Sequence, residues 1–81
     1  MDATTLHKVL FAHFSSPHIT IDGDEYHRLI TIVSDDFIGL SRLKRQQQVN
    51  QALFQYIQDG SLHAVTLKTL TVNEAQNAKQ P

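Results

Sequence analysis

Residues 18–34 read HITIDGDEYHRLITIVS, two runs rich in isoleucine and threonine on either side of Gly23-Asp24-Glu25. β-branched side chains suit a pleated surface better than a helix, so 18–22 and 26–34 are expected as strands. Gly23 supplies the positive φ that a tight connection needs, which makes the pair an antiparallel hairpin. Alternation along the second run puts Tyr26, Arg28, Ile30 and Ile32 on one face and His27, Leu29, Thr31 and Val33 on the other.

Helical periodicity brackets the hairpin. Before it, Leu6, Val9, Leu10, His13 and Phe14 share one face of a helix over 3–14. Asp2 is placed to cap that helix and Pro17 to stop it. The stripe position of His13 predicts a buried or boundary imidazole. After the hairpin, Ser34-Asp35-Asp36-Phe37 suits a single helical turn ended by Gly39, with Asp35 as its cap. Ser41 opens a helix over 42–58 whose core face is Val49, Ala52, Leu53, Tyr56 and Ile57. Asp59-Gly60 ends it, and AVTLKTL at 64–70 is a third strand. Thr71-Val72-Asn73-Glu74 is a capping box that opens a short last helix, followed by a fraying tail over 77–81.

The order α-β-β-α-α-β-α places helices between the second and third strands, a crossover that suits parallel pairing. The expectation is one α+β domain over residues 1–76: a mixed three-stranded sheet with helices on one face and the other face partly solvated.

Composition narrows the chemistry. A chain of 81 residues has room for one domain, which buries only about 60% of its unfolded surface. Seven Lys and Arg against eight Asp and Glu give a formal charge of −1. That excludes a whole-molecule field for nucleic acid or anionic lipid and leaves only a local basic patch. With no cysteine, disulfides, thiol nucleophiles and thiolate-held metal sites made by this chain alone are excluded. Five histidines remain as borderline metal ligands. No apolar run approaches the roughly 18–20 residues of a membrane span. The start, MDATTLHKVL, lacks the basic region of a signal peptide, so a cytoplasmic protein is expected. There is no Ser/His/Asp arrangement, P-loop or G-x-G-x-x-G, and a non-enzyme is expected.

Three stretches resemble the BolA family, in particular its short IbaG/YrbA-like branch. Phe37-Ile38-Gly39-Leu40-Ser41-Arg42-Leu43-Lys44-Arg45-Gln46-Gln47 is similar to the signature F-x-G-x-S-R-[VL]-x-[KR]-[HQ]-[RQ]. Leu62-His63-Ala64-Val65-Thr66-Leu67-Lys68 is similar to [VI]-H-A-[LV]-x-[LI]-K. Gly23-Asp24-Glu25-Tyr26-His27 is similar to the branch's G-D-G-S-H hairpin. The likeness spans roughly 19–75. Tyr26 and Arg28 stand where serine and an aromatic are usual, and the aromatic that follows the last capping box is missing near Ala75.

The resemblance implies a class II KH-like fold and a partnership with a monothiol, CGFS-type glutaredoxin. The pair would share a [2Fe–2S] cluster, with glutathione, in iron–sulfur trafficking or iron homeostasis. His63 matches the family's final-strand histidine, its proposed cluster ligand; His27 is the nearest candidate for a second ligand from the hairpin. From the residues alone, His63 also reads as a histidine hydrogen-bonded at a strand edge, and His27 as an exposed strand residue. His7, His13 and His18 carry no ligand spacing.

Some relatives are described as transcription regulators with a helix-turn-helix-like surface, which gives a second reading. Arg42, Lys44 and Arg45 crowd a helix start and, with Lys68, form a modest basic patch. Such a patch contacts phosphates, docks an acidic or glutathione-bearing partner, or is a plain solvated face. Three contacts imply weak, salt-sensitive DNA binding. Gly39-Leu40-Ser41-Arg42 keeps one glycine of the GXXG clamp used by KH domains. A third reading is a homo-oligomerising stress adaptor with no ligand of its own, a homodimer being one form.

Overall fold

In a computed structural model, which describes residues 1–78, the chain runs α1 (Ala3–His13), β1 (His18–Gly23), β2 (His27–Val33), a 3-10 turn (Asp35–Phe37), α2 (Arg42–Gln58), β3 (Ala64–Leu70) and α3 (Val72–Ala78). The expected element order and the small α+β architecture hold. The sheet order is β1-β2-β3. β1 pairs antiparallel with β2, from His18 opposite Val33 to Gly23 opposite Arg28. β2 pairs parallel with β3, from His27 opposite Ala64 to Val33 opposite Leu70.

The apolar alternation of the strands faces the stripes of α1 and α2. Leu6, Leu10 and Phe14 from the α1 region, Ile19, Ile30 and Ile32 from the sheet, Phe37 from the 3-10 turn, Val49 and Leu53 from α2, and Leu62 form one buried core. Arg28 joins that face at 8% exposure, its guanidinium donating to the Met1 carbonyl at 3.1 Å. His27, Leu29, Thr20 and Lys68 lie on the exposed outer face. Among the described residues no helix is long and apolar enough to cross a membrane.

Local capping explains the helix ends. Asp2 accepts the Thr5 N–H at 2.7 Å, and Ser41 accepts that of Lys44 at 3.2 Å. The capping box closes in both directions: Thr71 Oγ1 accepts from the Glu74 N–H at 3.2 Å, and Glu74 Oε1 from the Thr71 N–H at 2.8 Å.

Three sequence expectations need correction. His13 is exposed, because α1 ends there and Phe14 turns out of the helix into extended backbone (φ −118°, ψ 158°) to bury its own ring. Ile57 is 41% exposed; at about 100° per residue it has drifted about 80° from Val49, while Tyr56 stays close to the stripe. The 3-10 turn is capped by Ser34, which accepts from the Asp36 N–H. Asp35 instead accepts from the Val72 N–H at 3.2 Å and Asp36 from the Ser15 N–H at 2.9 Å, so the two carboxylates brace opposite neighbours. The helix α3 runs to Ala78; residues 79–81 of the tail expected to fray lie outside the described residues.

Candidate functional site

The β1–β2 turn builds one corner of the sheet. Gly23 sits at φ +83°, and a Cβ there would collide with the His27 carbonyl oxygen. The Asp24 N–H donates to that same carbonyl at 3.2 Å. In return Asp24 Oδ1 accepts the N–H groups of Tyr26 at 2.9 Å and His27 at 3.1 Å, an aspartate turn that fixes the backbone of both residues. The His27 N–H first, and the Tyr26 N–H after it, hold the Asp24 carboxyl below the usual carboxylate range.

The same corner receives the chain from α2. Gly60 turns at φ +81°, the Leu62 N–H donates to the Tyr56 carbonyl at 2.9 Å, and the Leu62 side chain is buried. The Ala64 N–H then donates to the Tyr26 carbonyl at 3.2 Å. His63 therefore stands between a residue anchored in the core and a residue tied to the sheet ladder. Its ring is exposed and stacks on Tyr26, centroids 5.7 Å apart and planes 21° apart.

The parallel register pairs His27 with Ala64 rather than with His63. The His27 ring crosses the outer face to Thr66, Nε2 to Oγ1 2.7 Å. The neighbour of His63 is thus Tyr26, which in the sequence shares the strand face of Arg28 and departs from the hairpin motif, with no sign of this partner. Of the other histidines, His7 stacks on Phe11 at 5.9 Å, and His13 and His18 are exposed.

No group of three or more His, Cys, Asp or Glu side chains among the described residues could hold a metal ion. The donor set at the corner is imidazole without thiolate. Histidine can replace cysteine on one iron of a [2Fe–2S] centre, but four ligands are needed. The corner thus offers imidazole nitrogen and no thiolate, and a [2Fe–2S] centre could use it only if its remaining ligands came from another molecule.

The basic patch divides. Arg45 is drawn inward: Nε donates to the Leu40 carbonyl at 2.9 Å, Nη1 to the Thr69 carbonyl at 3.3 Å and to Glu74 Oε1 at 2.6 Å. Its guanidinium also lies 5.9 Å from the Phe37 ring centroid. Arg42, Lys44 and Lys68 are exposed. Arg42 and Lys68 line an open groove of about 590 Å³ along β3, with Arg45 and Glu74 on its wall; the ion pair among the described residues is Arg45–Glu74.

Comparison with known proteins gives a consistent picture. The family profile described as BolA-like protein matches residues 2–74. The acid stress protein IbaG of Escherichia coli K12 is 35% identical over 74 residues, covering 91% of this chain and 88% of that protein. The DNA-binding transcriptional regulator BolA of Vibrio cholerae is 35% identical over 66 residues, covering 82% of this chain and 61% of that protein. Among solved structures, a bolA protein homologue from Coxiella burnetii superposes with a TM-score of 0.82 at 25% identity, covering 94% of this chain and 97% of that one.

Proposed function

The chain belongs to the BolA-like protein family, and from that premise we propose that it is a non-enzymatic accessory protein sharing a [2Fe–2S] cluster with a monothiol glutaredoxin and glutathione, in iron–sulfur trafficking or iron homeostasis. The observation that carries this reading is the His63 imidazole: exposed, engaged in no hydrogen bond among the described residues, and mounted on a backbone fixed on both sides. Neutral imidazole is a competent iron ligand, and with no cysteine in the chain the histidine nitrogen is the donor this reading uses. When bound, the cluster would supply the electron-transfer and sulfur chemistry. This chain's part is to present His63, and His27 through the ring nitrogen not facing Thr66, to a partner that brings cysteine and glutathione.

The test is to mix the protein anaerobically with a cluster-loaded monothiol glutaredoxin and follow visible absorption and circular dichroism. The expected result is a new spectrum that His63→Ala abolishes. A spectrum indifferent to the protein, or changed equally by the variant, defeats the reading.

A second reading is supported by the exposed Arg42, Lys44 and Lys68 and by the printed name of the Vibrio cholerae relative. On it the basic groove meets nucleic-acid phosphates. With about three contacts, log affinity for duplex DNA should fall with a slope of about −2.7 against log salt. Absence of salt-dependent binding at micromolar protein removes this reading.

A further inference from the structure

We infer that Tyr26 is a positioning residue for His63: by lying against one face of the imidazole it fixes the plane of the ring, and so the direction in which the in-plane nitrogen lone pairs meet an incoming metal.

The inference rests on the metal-ligand reading of His63, but its geometry stands independently. Tyr26 is 75% exposed, so its ring contributes little to the core. Its backbone, by contrast, is held at both ends. The N–H donates to Asp24 Oδ1 at 2.9 Å and the carbonyl accepts from Ala64, the residue after His63, at 3.2 Å. That last bond ties the two residues to adjacent positions across the ladder and brings the rings to 5.7 Å at 21°, an offset-stacking distance. Tyrosine suits the task because a large rigid ring with only two side-chain torsions loses little entropy on being ordered. His63 makes no hydrogen bond among the described residues that would fix its ring instead. By comparison His27 is oriented by a hydrogen bond to Thr66, so the corner uses two different devices for its two imidazoles.

The experiment compares wild type with Tyr26→Ala and Tyr26→Phe. The free protein is first examined by NMR for the ring-current displacement of the His63 imidazole protons and by the rate at which diethyl pyrocarbonate modifies His63. Tyr26→Ala should abolish the displacement and raise the rate about two- to tenfold, the range a stacked aromatic pair commands. Tyr26→Phe should restore both. A thermal melt checks that all three are folded. Wild-type shifts and reactivity in Tyr26→Ala overturn the inference, as does failure of phenylalanine to restore them.

The variants are then mixed with the cluster-loaded glutaredoxin. An altered visible dichroism in Tyr26→Ala, restored by phenylalanine, extends the positioning role to the metal-bound state. If the free-protein effects appear while His63→Ala leaves the mixture's spectrum untouched, the shared-cluster reading fails and the Tyr26–His63 relationship survives it.

Discussion

Glu74 Oε1 lies 2.6 Å from Arg45 Nη1 and also accepts the Thr71 N–H at 2.8 Å. One carboxylate oxygen thus closes the capping box of α3 and receives the guanidinium of α2. Because Arg45 also reaches the Leu40 and Thr69 carbonyls, a single side chain joins the loop before α2, the end of β3 and the start of α3.

Arg45→Gln should destabilise the protein by about 1–3 kcal/mol, since it leaves carbonyl and carboxylate acceptors without their charged donor. Arg45→Lys should recover little, because an ammonium cannot span three acceptors as the planar fork does. Chemical denaturation gives both values. An unchanged midpoint in the glutamine variant would show that the network is solvated rather than structural.

The pH dependence follows from the same pair. The Arg45 guanidinium, then the Thr71 N–H, hold the Glu74 carboxyl below its ordinary value of 4.5. A depressed carboxylate stabilises the fold fully above its unfolded pKa and ceases to do so as pH falls through the folded value. Glu74→Gln should therefore melt below wild type at neutral pH, and the gap should close as the pH is taken below 4.5. Thermal melts across that range would show a constant gap if only the shape of the side chain mattered.

Gly23→Ala should cost about 1–3 kcal/mol, since it places a side chain in the left-handed region and drives its Cβ into the His27 carbonyl. Gly39→Ala, also at positive φ but with nothing within 4 Å of the added carbon, should cost less. Amide exchange should show lost protection at Asp24–His27 in the first variant and not in the second. Equal effects would mean that φ alone, and not the close approach, sets the requirement.

His63→Ala should cost no more than about 0.5–1.5 kcal/mol, the worth of its stacking on Tyr26, since the exposed ring makes no hydrogen bond among the described residues. His27→Ala should cost about 0.5–1.5 kcal/mol through the lost Thr66 bond. A His63 variant that unfolds would assign that ring to the scaffold.

Much of the fold was legible because its signals are local. The Gly23 hairpin, the Ser41 cap, the Thr71–Glu74 box and the stripes of Leu6, Leu10, Val49 and Leu53 are each read within a few residues, and each is found. The errors fell where an element ends or where partners lie far apart. His13 left the core because the helix stopped one residue early. Arg45 reads as one cation among three, and only the approach of Thr69 and Glu74 distinguishes it. His63 was visible through its motif. The residue beside it was not, because parallel pairing across residues 27 to 64 is set by the crossover and its packing rather than by any turn between them.

That separation also orders events in time. The β1–β2 hairpin closes over a few residues, whereas β3 must wait for α2 and a closure of some three dozen positions, a slow class of contact. The turn that holds Tyr26 is built from residues close in sequence, whereas the stacking of His63 on it requires the long closure. The Tyr26–His63 corner therefore exists only once the crossover has closed, and the hairpin alone carries half of it.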